Sequence, residues 1–284
     1  MRKVSPEKRK NAMKPKRNIF GVFRILTVLL FSLLIGSGNQ MSSASETYIP
    51  FQPGEKLIFK LKWGVIPAGE ASLEVKDLDN FKGVEAYHFV LKARSNSFFD
   101  VFFKVRDHIV SYTDIDMNHS LYYQKDQLEG KTKRNIRVHF DWEQNKAEYN
   151  FINKKSKTIN LMPGTFDPLA IFYYSRTLNL REKDAFQRPV TDGSRNVLGK
   201  LKIIGREKIT VDAGTFDTLL LEPDLQRVDG VFAKKERAKI FVWVTDDERK
   251  LPIKLKSKAK VGSFVAELVA IQDPEDMLTS TMFE

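Results

Sequence analysis

Four histidines, two groups of carboxylates, two Gly-Ser pairs and one phenylalanine-rich run are the places where this 284-residue chain could do chemistry. A metal centre needs ligands at one point, most simply as His pairs at i, i+2 or i+4 or as an HExxH helix. His88, His108, His119 and His139 show none of these spacings. They read as hydrogen-bonded or solvated side chains, so no metal site and no cofactor is expected. A nucleophilic serine needs a strand–elbow–helix GxSxG, whereas Gly193-Ser194 and Gly262-Ser263 sit in turn contexts. Acid/base work on a sugar needs two converging carboxylates. Glu70 and Glu74 instead share the polar face of a strand pattern, and Asp246-Asp247 reads as a turn. Neither GxGxxG nor GxxxxGK[ST] occurs. No catalytic residue is assigned, and the chain is not expected to be an enzyme.

The run Ser97-Phe98-Phe99-Asp100-Val101-Phe102-Phe103 is the least ordinary stretch. Four phenylalanines in six residues exceed what one strand face can bury. Phe98/Phe102 and Phe99/Phe103 are spaced for one helical turn. Such residues either plug a sheet or line an apolar cleft that meets an acyl chain or a partner protein. Phe98, Phe99 and Phe102 are therefore candidate ligand contacts, with Trp63 on a strand pattern and Phe172 and Tyr173 on a helix pattern.

The charge says little about partners. Of 47 Lys+Arg and 36 Asp+Glu, nine basic residues and one acid fall in residues 1–45, which leaves 38 against 35 and a net of +3 in the rest. That balance gives no global field for a phosphate backbone, so no nucleic-acid partner is expected. The absence of cysteine excludes a disulfide scaffold, thiolate-ligated zinc or iron–sulfur, a thiol nucleophile and a lipid-modified cysteine. The protein is thus expected not to be a lipoprotein.

The basic stretch before Arg24 is followed by eleven residues, Ile25 to Ile35, broken only by Thr and Ser, and then by small residues through Ser45. This order reads as a secretory signal over residues 1–45, with Met13 offering an alternative start. The competing reading is a retained anchor, but eleven residues make only about 16 Å of helix against a ~30 Å hydrocarbon core. Membrane contact is expected only through this segment. Export without cysteine suits a periplasm of the Gram-negative type.

Residues 46–284 alternate with period 2 almost throughout, which is the strand signal. Leu57, Phe59, Leu61 and Trp63 oppose Lys56, Lys60 and Lys62, and Ile136, Val138, Phe140 and Trp142 oppose Arg137, His139 and Asp141. Turn residues such as Asp79-Asn80, Glu129-Gly130, Ala213-Gly214 and Asp229-Gly230 separate the runs. The expected fold is one all-β, mostly antiparallel domain, a curved sheet or open β-barrel with one covering α-helix. That helix is expected over Asp167 to Leu180, about three turns, with Asp167 at the N-cap and Pro168 in the first turn. Its Leu169, Phe172, Tyr173 and Arg176 stripe needs an apolar partner.

Several segments occur in a particular order: Pro53-Gly54-Glu55, Trp63-Gly64, Ala68-Gly69-Glu70-Ala71, Asp167-Pro168 with the helix to Arg176, Asp192-Gly193, Ala213-Gly214, and Trp243 to Pro252. Together they resemble the exported bacterial domain-of-unknown-function family numbered 3108, over about residues 50–270. The resemblance implies an exported, mostly antiparallel β domain with no established reaction and no agreed catalytic residues. A looser similarity to lipid-carrying half-barrels of the lipoprotein-localisation kind is one of architecture alone.

These features favour a non-enzymatic periplasmic binding or envelope-assembly protein holding an apolar or amphiphilic ligand, a lipid or lipid-linked glycan. Two alternatives stand beside it. One is a module that binds a protein partner in a cell-envelope complex; the other is an envelope glycan or ester hydrolase.

Overall fold

The structure, a computed structural model, describes residues 48–151, 156–180, 185–224, 240–258 and 263–274. The signal segment and the Asp229-Gly230 turn expected from the sequence lie outside these residues.

Alternation of apolar and polar side chains builds one long antiparallel meander. Strand β1 (Lys56–Trp63) buries Leu57, Phe59 and Leu61 and turns into β2 (Ile66–Val75). A short β3 (Asp79–Phe81) folds onto β4 (Val84–Ser95). A helix, α1 (Ser97–Phe103), leads into β5 (Val105–Asp114). The strands β6 (Ser120–Glu129), β7 (Thr132–Asp141), β8 (Lys146–Phe151) and β9 (Lys157–Asn160) follow. After α2 (Ala170–Thr177) come β10 (Ala185–Thr191), β11 (Asn196–Val211), β12 (Gly214–Asp224) and β13 (Ile240–Thr245). The meander ends with β14 (Pro252–Lys258) and β15 (Ser263–Gln272).

Strand β15 returns to pair with β1, so the order runs β10-β11-β12-β13-β14-β15-β1-β2-β4-β5-β6-β7-β8-β9. Among the described residues the path does not close, because β9 and β10 stand at its two ends. The architecture is an open, barrel-like sheet, as the alternation requires. Irregularities after Ile58, Leu61, Tyr112 and Ile203 interrupt the ladder register, and such bulges increase local twist and help a sheet to curl.

Two corrections concern the helices. The expected three-turn helix has eight residues, about two turns. Asp167 does cap it, since its Oδ1 accepts from the Leu169 and Ala170 amides at 2.8 and 3.0 Å. Pro168 and Leu169, however, form a turn ahead of the helix, and Leu178 is already extended. The second correction is α1 itself, a helix beyond the single covering one. Its phenylalanine spacing is the helical one, and Asn96 supplies the cap.

Helix α2 packs against the sheet with Ala170 to Tyr173, Ser175 and Arg176 buried. Tyr173 stacks on Phe89 at 3.9 Å, and Phe51 meets Tyr87, Phe89 and Tyr173 edge-on at 5.3 to 5.5 Å. Edge-to-face and offset rings are the favourable aromatic arrangements. Burial drives the Tyr173 hydroxyl pKa far above its ordinary value. Phe172 and Tyr173 are thus core residues beneath the sheet.

Candidate functional site

The candidate site lies where β4 passes into β5. Asn96 starts α1: its Oδ1 accepts from the Phe99 amide at 2.9 Å, and its Nδ2 donates to the Pro67 carbonyl at 2.9 Å. One residue therefore caps the helix and ties it to the β1–β2 hairpin. Helical periodicity then divides the phenylalanines. Phe99 and Phe103 turn inward, with Phe99 stacked beside Trp63 at 6.4 Å. Phe98, Val101 and Phe102 turn outward, at 57, 79 and 63% exposure.

The neighbouring hairpin adds to this surface. Its two-residue turn opens with Gly64 at φ +59°, a position suited to glycine. Val65 beside it is 90% exposed, and Ile66 is exposed as well. Turn positions ordinarily carry polar or small residues, so Val65 departs from the rule, and Ile66 beside it opens β2. Five apolar side chains from two connected elements thus crowd one end of the sheet. Isolated exposed apolar residues are common; a cluster marks a contact surface.

Charge surrounds the cluster. The β6–β7 turn lies beside α1, for the Gly130 amide donates to the Lys104 carbonyl at 2.8 Å. Gly130 takes φ +59°, and a Cβ there would stand 2.8 Å from the Phe103 ring. Lys104, Lys131 and Lys133 are all exposed and, among the described residues, make no ion pair. Three acids nearby hold basic partners, and Glu129 before the turn is buried. Asp100 of α1 pairs with Arg106 at 2.6 Å, Glu70 with Arg94 at 2.6 Å, and Glu267 with Lys62 at 2.5 Å. The Arg106 and Ser95 hydrogen bonds hold the Asp100 carboxyl below its usual range.

From this end a depression of about 720 Å³ runs over the outward face of the sheet, lined by Ile58, Lys92, Arg94, Arg106, His108 and Leu128 among others. Of its carboxylates, Glu70 and Asp126 are held by Arg94 and Arg137, and Asp107 is buried. The histidines do not converge on it. His88 lies on Tyr112 at 4.5 Å, His119 against Trp142 at 4.3 Å and His139 against Tyr122 at 4.8 Å. Burial lowers the pKa of all four. Among the described residues, no group of three His, Asp or Glu is placed to hold a metal ion.

The six candidate contacts read from the sequence therefore separate. Trp63, Phe98, Phe99 and Phe102 come together at the α1 end, whereas Phe172 and Tyr173 belong to α2 and are buried in the core. Within the first group only Phe98 and Phe102 face solvent. Val65, Ile66 and Val101 were missed; the signal for the first two was an apolar turn, and for Val101 its place on the Phe98 face of the helix.

A profile described as "Protein of unknown function (DUF3108)" matches residues 58–269. No curated protein matches the chain. Among solved structures, a beta-barrel-like protein of the domain of unknown function DUF1849 from Brucella abortus superposes with a TM-score of 0.52 at 12% identity, covering 78% of this chain and 97% of that one. The hypothetical protein CT021 from Chlamydia trachomatis reaches a TM-score of 0.34 at 9% identity, over 78% of this chain and 87% of its own. The first similarity bears on the fold alone, and nothing is drawn from the second.

Proposed function

The chain belongs to the DUF3108 family, and from that premise we propose that it is an exported, non-enzymatic binding protein of the bacterial envelope. It engages an amphiphile at the exposed α1 end of the sheet. The observation carrying this reading is the split of one short helix. Phe99 and Phe103 anchor it, while Phe98, Val101 and Phe102 stay in water beside Val65 and Ile66. Leaving such side chains exposed forgoes roughly 1.5–3 kcal/mol each relative to burial, so a contact that covers them is favourable.

The other readings have less support. The hydrolase needs converging carboxylates or a Ser–His pair; in the depression Glu70 and Asp126 are held in ion pairs and Asp107 is buried. The partner module needs an inviting strand edge. Strand β9 is four residues long and carries Lys157, and β10 carries Arg188 and Pro189; short length, charge and proline are devices that discourage pairing.

Titration of the purified chain with a dansyl-labelled lysophospholipid tests the proposal. Saturable fluorescence enhancement is expected, weakened at least tenfold by Phe98→Ser/Phe102→Ser. Equal binding by wild type and double variant would remove the α1 end from the reading.

A further inference from the structure

We propose that the α1 end docks on the surface of an anionic phospholipid bilayer, with Phe98, Val101 and Phe102 entering the interface and Lys104, Lys131 and Lys133 meeting the headgroups. This rests on the reading of that end as an amphiphile-binding surface and names what it meets. It extends membrane contact beyond the leader, to which the sequence confined it.

The shape favours a bilayer over a single bound molecule. The apolar residues stand on the exposed side of a helix and at the tip of a hairpin, and none of them lines the depression. Interfacial binding places apolar side chains about 5–10 Å into the headgroup boundary and adds attraction between basic residues and anionic lipid. The charge pattern here is of that kind. Three acids at this end, Asp100, Glu70 and Glu267, each hold a basic partner, and Glu129 before the turn is buried, whereas the three exposed lysines make no ion pair among the described residues. Lys131 lies in the β6–β7 turn that packs on Phe103, Lys133 is the second residue of β7, and Lys104 follows the helix and accepts from the Gly130 amide through its carbonyl. The lock between Asn96 and Pro67 holds α1 and the hairpin together, so that both meet one plane.

The absence of cysteine allows one thiol-reactive fluorophore to be placed at will. In the full chain, an environment-sensitive label at Val101→Cys reports on the apolar cluster, and one at Val84→Cys, at the opposite end of β4, controls for the leader. Vesicles of phosphatidylcholine alone and of phosphatidylcholine with about 30% phosphatidylglycerol supply the two surfaces. The label at 101 is expected to shift to the blue on the anionic vesicles, and the label at 84 to stay in water. Each lysine near such a surface contributes ~1 kcal/mol, about a fivefold change. Lys104→Glu/Lys131→Glu/Lys133→Glu is therefore expected to raise the lipid needed for half the shift by tenfold or more. Lys202→Glu, on β11 away from the α1 end, should leave it nearly unchanged. A label at 101 that stays in water on anionic vesicles overturns the proposal, as does an equal shift at 84 or indifference to the triple change. Equal shifts on neutral and anionic vesicles overturn the bilayer-charge inference but leave the amphiphile-binding reading standing. Failure of the lysophospholipid titration as well removes both. Thermal unfolding of each variant confirms that the fold is intact.

Discussion

Arg176 and Glu55, 121 positions apart, form a buried two-pronged ion pair, Nη1 to Oε1 at 2.6 Å and Nη2 to Oε2 at 2.9 Å. Their side chains are 2 and 1% exposed. The guanidinium also donates to the carbonyls of Pro50 and Arg249, at 3.0 Å each. Arg249 in turn reaches Glu55 at 3.2 Å and Asp273 at 2.6 Å. One cluster therefore joins the segment before β1, helix α2, the β13–β14 turn and the end of β15. Glu55, Arg176 and Arg249 come from three of the segments that carry the family resemblance, which gives those scattered pieces a common physical role.

Removing one side of this cluster leaves a buried charge. Breaking a buried pair costs about 3–5 kcal/mol, and Arg249 still offers Glu55 a partner. Arg176→Met should therefore destabilise by about 3 kcal/mol in urea unfolding. Glu55→Gln/Arg176→Met, which removes both charges, should recover part of that loss. A double variant less stable than the single one would contradict the account.

The two faces of α1 should respond in opposite ways. Phe103 is buried against Gly130, and truncating a buried phenylalanine costs about 3–5 kcal/mol. Phe103→Ala should lower the urea midpoint accordingly, whereas Phe98→Ser/Phe102→Ser should stay within about 0.5 kcal/mol of wild type. A large stability loss in the second variant would mean that these rings are packed in solution.

Asn96 acts at a distance from any ligand. Its side chain accepts from one residue of the helix and donates to the hairpin, so Asn96→Ala removes both bonds. A lost cap costs about 1 kcal/mol. Hydrogen exchange should speed up in residues 97–103 while β4 and β5 stay protected. Unchanged exchange there would show that packing of Phe99 and Phe103 alone fixes the helix.

Much of the fold was legible because alternation is a local property: Leu57/Phe59/Leu61 and Ile136/Val138 point inward as their spacing requires. The length of α2 was not, since Pro168 permits either a helical first turn or the tighter turn observed. The candidate site was half legible. The spacing of Phe98 to Phe103 gave the helix, but which pair faces water depends on Trp63 and Gly130, which only the folded sheet brings near. The collar of lysines could not be read at all, because exposed lysines are ordinary until their neighbours are known.

Asp107 gives the sheet a pH dependence whose sign can be worked out. It lies buried beside Lys125 and Glu129, with the Leu128 amide on its Oδ1 at 3.2 Å. Burial first, and Glu129 next, push its carboxyl up to about 7 from 3.8. Between about pH 4 and 7 the folded chain keeps a proton that the unfolded chain has released. The unfolded state then binds fewer protons, so stability falls as pH rises across this window and the loss is complete above it. Burial lowers the Lys125 pKa, which has the opposite slope, up to the unfolded value. Asp167, pushed up to about 6 by burial, adds a parallel loss with a lower upper bound. Asp107→Asn has no proton to release. Wild type should be more stable at pH 5 than at pH 8 in urea unfolding, and the variant should show a clearly smaller difference, the remainder being that of Asp167 and other groups. Identical pH slopes would mean that Asp107 is already ionised in the folded chain at pH 5, and that Lys125 holds it in that form.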